Sequence, residues 1–262
     1  MPEPTALLHR FQSTVPYYAR YRLGYPERLI ARVAAGLAPG AAVLDLGAGP
    51  GLLALGFARL GMAVTAVDPE AAMLAAVEAA AAAEGLKIAT RQGSSFALPD
   101  GIGPFRLVVI GRAFHWMDRV ATLQALDSLV APDGAIALFD DEHLKTAENR
   151  WRDSLDAVAA HYGAEAAPHR QARRDPTHRC HESILLDSPF SRLETFGEVV
   201  ARDRSIDDIV GFARSLSVTS SEALGERSAA FEIELRQALA VLSPDGRFSE
   251  IAEMRALVAR RR

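Results

Sequence analysis

The chain has one cysteine, Cys180, in 262 residues, so no intrachain disulfide can form and a disulfide-stapled secreted scaffold is excluded. Long apolar runs are missing as well. The longest candidate, Ala71 to Ala83, is mostly alanine and is interrupted by Glu78, which excludes the uninterrupted span that a bilayer core demands. No basic stretch leads into an apolar core and a cleavage site near the N-terminus, so a soluble, cytoplasmic protein without membrane attachment is expected. Lysine is scarce, standing only at positions 87 and 145, and the 29 basic side chains face 33 acidic ones. A net charge of −4 gives no general pull toward nucleic acid. Internal repeats are absent. Hydrophobic residues at 49% and charged residues at 24% are ordinary globular values, and the length suffices for one α/β domain with an elaboration.

Against that plain background one stretch stands out: Val43-Leu44-Asp45-Leu46-Gly47-Ala48-Gly49-Pro50-Gly51, followed by the helical pattern Leu52, Leu53, Leu55, Ala58, Leu60. It reads as strand, tight turn and helix. Glycines at 47, 49 and 51 let the backbone approach a ligand without a Cβ in the way, and the helix start offers unpaired N–H groups. A second short strand, Ala63 to Val67, ends in Asp68, some twenty residues after the first glycine, where a carboxylate can accept hydrogen bonds from ribose hydroxyls. The third glycine falls one residue early for a dinucleotide fingerprint, since Leu52 holds the sixth position. A nucleotide-like cofactor other than a nicotinamide is therefore expected.

Apolar periodicity extends this pattern along the chain. A helix is expected near 26–35, then strand 42–46, helix 51–60, strand 63–67, helix 70–84, strands 86–91 and 106–110, helix 119–130 and strand 135–139, with Ala131-Pro132-Asp133-Gly134 as a turn. Such alternation implies a parallel sheet with helices on both faces and the motif-bearing loops along one edge. Residues 146–161 read as helix, and 162–190 as a polar, irregular segment suited to a lid or a substrate-side insertion. A strand at 191–200, helices at 206–216 and 222–242, and a last strand at 251–259 complete the reading.

Asp45 to Gly51 with Asp68 resembles the first two motifs of class I S-adenosylmethionine-dependent methyltransferases. The resemblance continues in Gln92-Gly93-Ser94-Ser95-Phe96-Ala97-Leu98-Pro99 and in Ala113-Phe114-His115-Trp116-Met117-Asp118, and upstream in Tyr18-Ala19-Arg20-Tyr21-Arg22-Leu23-Gly24-Tyr25-Pro26. It is similar to the small-molecule branch that includes trans-aconitate methyltransferases, although Leu23 replaces an expected proline. The resemblance implies a doubly wound, seven-stranded, mostly parallel Rossmann-like sheet with a helical N-terminal lid and a substrate-side insertion. One domain over 1–262 is expected, with lid 1–36, cofactor-binding half 37–145, helix and insertion 146–190, and C-terminal half 191–262 completing the sheet.

On that footing S-adenosylmethionine would lie against Asp45, Gly47, Ala48, Gly49, Gly51, Asp68, Pro69, Ser94, Ser95, Phe96 and Arg112. Asp45 is expected to hold the turn through backbone N–H groups, and Phe96 to pack. Tyr17, Tyr18, Tyr21, Arg22, Phe114 and Trp116 would face a small-molecule acceptor, either as a lid and pocket wall or, for the tyrosines, as a helix docked by its aromatic face. His115 has an imidazole suited to a general base, or else a structural hydrogen-bonding role. His161, His169, His178, Cys180 and His181 match no common zinc spacing, and no metal is expected. The leading expectation is methyl transfer to an O, N or C nucleophile, including a carboxylate or secondary metabolite. The rivals are a non-catalytic cofactor-binding or assembly protein and a nicotinamide oxidoreductase.

Overall fold

In the computed structural model the described residues are 14–164 and 177–262. Seven strands form one sheet: β1 (Ala42–Leu46), β2 (Ala63–Asp68), β3 (Ile88–Gln92), β4 (Phe105–Gly111), β5 (Val130–His143), β6 (Arg192–Ser205) and β7 (Arg247–Arg260), in the order β3-β2-β1-β4-β5-β7-β6. The pairs β1/β2, β1/β4, β2/β3 and β4/β5 are parallel. β1 and β4 read as nearly unbroken apolar runs because a parallel sheet is covered on both faces, and Val43, Leu44, Leu46, Val108 and Val109 have no exposed surface. Emptying such a position, as in Leu44→Ala, is worth roughly 2 to 5 kcal/mol. The chain order reverses between β1 and β4, so the crevice beyond their C-terminal ends is where a doubly wound sheet takes its ligand.

The chain divides into two compact units. The sheet unit comprises residues 25–141, 177–198 and 254–262, and the helical unit residues 14–24, 142–164 and 199–253. The sheet unit carries α2 (Glu27–Ala34), α3 (Leu52–Arg59), α4 (Ala71–Ala83), α5 (Arg119–Asp127) and α7 (His181–Leu186). Its core joins Leu44, Leu46, Ile110, Phe114, Leu126 and Ile136 to Leu185 and Phe190. The helical unit carries α1 (Val15–Tyr21), α6 (Trp151–His161), α8 (Ile206–Arg214), α9 (Ser221–Leu224) and α10 (Ser228–Leu242), packed around Trp151, Leu155, Phe212, Phe231 and Leu235.

Four expectations are corrected. The helix expected to reach residue 130 ends at Asp127, because Val130 already pairs with Phe105 as strand. The anticipated turn at 131–134 is absorbed into β5 as an irregularity: Phe105 pairs with Val130 but Leu107 pairs with Ala135. Within the segment read as irregular, 181–186 is helical and buries Ile184 and Leu185, while 165–176 lies outside the described residues. Six residues are too short to declare a helical period, so the apolar Ile184-Leu185 pair was the one signal available. The long helix expected over 222–242 is interrupted at Gly225, whose φ of 55° is left-handed.

Candidate functional site

β1 delivers Asp45 and then turns sharply. The amides of Gly47 and Ala48 both donate to the Val67 carbonyl, at 2.8 and 3.0 Å, which ties the turn to β2. Gly47 has φ 72°, and a Cβ there would lie 2.9 Å from the Ala113 Cβ and 3.3 Å from the Met117 Cε. Gly49, at φ 54°, is different in kind: a Cβ would meet nothing within 4 Å. One glycine is demanded by close packing within the protein, whereas the other leaves open space in front of bare backbone. Gly51 packs its Cα against Val77 of α4, closing the turn before α3 begins.

Asp68 ends β2 directly beside this turn. Its Oδ2 accepts from the Gly49 amide at 2.8 Å and its Oδ1 from the Glu70 amide at 2.9 Å. Each carboxylate oxygen keeps a further lone pair, so the group that fixes the turn retains acceptor capacity for a ribose. Burial raises the Asp68 carboxyl above the usual range, against the two amides that lower it and with the Glu70 charge adding to the rise. Asp45 is shut from water, its Oδ2 accepting from the Ala54 amide at 2.9 Å in the first turn of α3. Among the described residues its Oδ1 has no hydrogen-bond partner. Desolvation pushes this carboxyl up to about 7; the Ala54 amide opposes the rise and the Asp68 charge contributes to it.

The segment after β3 closes the next side. The Gly93 amide donates to the Asp68 carbonyl at 3.2 Å, and Gln92 Nε2 donates to the Pro69 carbonyl at 3.0 Å. Ser94 Oγ accepts from the amides of Phe96 and Ala97, at 3.2 and 3.3 Å, which commits the hydroxyl to its own turn. Ser95 is half-buried, and the Phe96 ring is 50% exposed beside it.

β4 ends at Gly111, and a 3₁₀ turn at Phe114–Trp116 follows. Phe114 is buried, with its ring edge against His181 at a centroid distance of 5.1 Å, while His115 and Trp116 are half-buried neighbours at 5.0 Å. Through Ala113 and Met117 this turn abuts Gly47, so His115 and Trp116 share an edge of the sheet unit with the glycine turn. Arg112 turns its guanidinium to Asp141 and to the face of Tyr25.

Tyr17, Tyr18, Tyr21 and Arg22 lie in the helical unit, where α1 docks by its aromatic side. The Tyr21 ring lies where a Cβ on Gly211 would come within 2.4 Å, and Tyr17 stacks on Tyr21 at 6.2 Å. Arg22 lies over Tyr18 and Phe212 and donates to Ser215 Oγ at 3.0 Å. Of the histidine-rich segment, His161 Nδ1 meets Glu234 at 2.8 Å, His181 Nδ1 meets Arg119 at 3.3 Å, and His169 lies outside the described residues. Among the described residues no cluster of three His, Cys, Asp or Glu side chains could hold a metal ion. No helix among them is long and apolar enough to cross a membrane.

Residue-by-residue reading missed Tyr25 and Asp141 as contributors to the 112–117 region, and Glu250 as the centre of the helical unit. Glu250 accepts from His143 Nε2 at 2.6 Å, from Arg202 Nε at 2.5 Å and from Arg204 at 2.9 and 2.8 Å. The available signal for Asp141 was a pair of acids, Asp140-Asp141, at the C-terminal end of an otherwise apolar strand.

Comparison with known proteins agrees with this geometry. Residues 43–134 match the family described as methyltransferase domain. An uncharacterized methyltransferase of Mycobacterium tuberculosis (strain ATCC 25618 / H37Rv) is 32% identical over 130 residues, which are 49% of this chain and 50% of that protein. A ubiquinone biosynthesis O-methyltransferase of Caulobacter sp. (strain K31) is 37% identical over 97 residues, 36% of this chain and 38% of that protein. This chain thus spans about half the length, or less, of the curated relatives it matches. A structure described as a type II methyltransferase from Anaeromyxobacter dehalogenans covers 92% of this chain and 98% of its own, with 21% identity and a TM-score of 0.59. That likeness is one of fold.

Proposed function

We propose that this chain is a class I S-adenosylmethionine-dependent methyltransferase acting on a small-molecule acceptor. The observation that carries the reading is Gly49: left-handed, open on its Cβ side, and tied by its amide to the carboxylate that ends β2. The order β3-β2-β1-β4-β5-β7-β6, with a seventh strand between the fifth and sixth, departs from the 3-2-1-4-5-6 order of dinucleotide-binding sheets. That disfavours the nicotinamide alternative.

The residues present fit the cofactor. Gly49 offers bare backbone to its methionine portion, Gly47 lets the turn pack against Ala113 and Met117 behind it, Asp68 has lone pairs left for its ribose, and the segment around Ser95 and Phe96 borders the adenine side. Asp68 brings a carboxylate to the cradle, which complements a cationic sulfonium. When bound, S-adenosylmethionine supplies an activated methyl group on a good leaving group. The protein's part is alignment of the acceptor and exclusion of water. In this reading Trp116 walls the acceptor side, Phe114 supports the turn from within the core instead of facing the acceptor, and His115 Nδ1 or Nε2 takes a proton from an acceptor O–H or N–H where the nucleophile carries one. The trans-aconitate-like branch, with a carboxylate acceptor, is the narrower version of the same reading.

Calorimetric titration tests it. S-adenosylmethionine and its demethylated product are expected to bind with affinities in about the micromolar range; heat from NAD with none from either sulfur ligand would sink the proposal. A role for His115 predicts that His115→Ala lowers turnover about a hundredfold with cofactor affinity nearly intact, and that the wild-type rate falls as pH drops through the imidazole range.

A further inference from the structure

Arg112 is the only non-glycine with a left-handed backbone among the described residues, at φ 53°. An L residue there costs on the order of 1 to 3 kcal/mol, a conformation that persists only where its surroundings over-determine it. Glycine would be the inexpensive choice, so the arginine side chain has a reason to be present. Its amide donates to the Phe139 carbonyl at 2.8 Å, continuing the β4/β5 ladder by one bond. Its Nε donates to Asp141 Oδ1, and its Cζ lies 4.6 Å from the centroid of the Tyr25 ring. Tyr25 is itself fixed: its ring stands edge-on to Phe139 at 5.2 Å, and a Cβ on Gly111 would come within 2.9 Å of its Oη. Both charged side chains are nearly out of water, at 6% exposure for Arg112 and 11% for Asp141. One residue further on, Ala113 begins the turn whose Ala113 Cβ and Met117 Cε occupy the space beside Gly47.

We propose that Asp141 and Tyr25 are positioning residues: they clamp the Arg112 guanidinium, hold its left-handed bend, and so fix the 113–117 turn against Gly47 of the cofactor cradle. The acidic end of β5 and the tyrosine ahead of α2 act through Arg112 and touch no reacting atom. The consequence for cofactor affinity rests on the methyltransferase reading, whereas the clamp itself does not.

The chain has two tryptophans, Trp116 in the turn and Trp151 in the helical unit, so 5-fluorotryptophan labelling gives two ¹⁹F resonances that Trp116→Phe assigns. In the ligand-free protein Asp141→Asn, Tyr25→Leu and Arg112→Gly are each expected to shift or broaden the Trp116 line and leave the Trp151 line in place. The affinity for S-adenosylhomocysteine is expected to fall about fivefold in each, the scale of one lost hydrogen bond. Arg112→Gly combined with Asp141→Asn is expected to do no more than either alone, since both remove the same clamp. Arg112→Lys guards against a variant that fails to fold: it keeps the charge and the bend but not the planar fork, and is expected to shift the Trp116 line in the same direction by less. A Trp116 line in Arg112→Lys and Arg112→Gly identical to wild type overturns the proposal, as does an Arg112→Gly protein that binds S-adenosylhomocysteine more tightly than wild type, because the bend would then need no clamp. Absence of S-adenosylhomocysteine binding in the wild type would overturn the functional reading instead, with the ligand-free spectra still deciding the clamp.

Discussion

Asp45 and Glu250 are both carboxylates at 1% exposure, and the two units treat them in opposite ways. Burial pushes each toward the neutral form. At Glu250 hydrogen bonds from His143 and Arg204 and the charges of Arg204 and Arg202 outweigh that push and hold the carboxyl well below the usual range. At Asp45 the opposing contribution is a single amide, the Asp68 charge works in the same direction as burial, and the carboxyl rises to about 7. The helical unit has thus committed its cations to a fixed internal network. In the sheet unit the bonds recorded to Asp45 and Asp68 come from backbone amides, which position the two carboxyls but do not offset the burial that raises both.

The largest expected effect comes from breaking the saturated side of this comparison. Glu250→Gln removes the charge facing Arg202 and Arg204, and Arg204, at 3% exposure, is left without its carboxylate. Loss of one partner of a buried pair costs about 3 to 5 kcal/mol, so denaturant titration of the variant should show a markedly lowered midpoint. Wild-type stability from this group is present above the ordinary glutamate value and lost as pH falls through the depressed folded one. A variant as stable as wild type at pH 7 would mean that the network contributes nothing net.

The sheet unit should respond in ligand binding rather than in stability. Gly49→Val fills the open space before the turn and strains a left-handed residue, so affinity for S-adenosylhomocysteine should drop by about two orders of magnitude or more, with the fold retained at a cost of about 1 to 3 kcal/mol. Unchanged calorimetric affinity would place the ligand elsewhere. Asp68→Ala is expected to cost about 1.5 to 3 kcal/mol of binding, the range for a hydrogen bond to a charged group. Part of that loss would come through the released Gly49 amide, and Asp68→Asn, which keeps the shape, separates the two contributions.

This contrast also marks how far the sequence could be read. The glycine turn, Asp68 and the order of elements through β4 were legible because apolar period, glycine placement and strand ends are local properties. Tyr25 and Asp141 were not: they meet at Arg112 from positions far apart in the chain, and a left-handed arginine has no compositional signature. Glu250 was hidden for a related reason. An acid within the alternating strand Arg247–Arg260 looks like a solvent-facing residue until Arg202 and Arg204 from β6 are brought beside it. The assignment of Ser94 to an adenine contact was open for want of its turn: both amides its hydroxyl accepts come from within three residues, a short-range arrangement that spacing alone does not distinguish from a ligand contact.

The smallest expected effect sharpens the other side of the comparison. Asp45 has an ordinary value of 3.8 when unfolded and about 7 when folded, so between those limits the folded protein binds more protons than the unfolded one and stability falls as pH rises. Asp45→Asn keeps the shape and the acceptor for the Ala54 amide while removing the titration. Its stability relative to wild type should therefore improve between pH 4 and pH 7, by about 1 kcal/mol or more. Parallel denaturation curves at the two pH values measure this directly. If the variant and wild type change in parallel, Asp45 is ionised in the folded protein throughout, and an unseen partner for its second oxygen must be supplying what the described side chains do not.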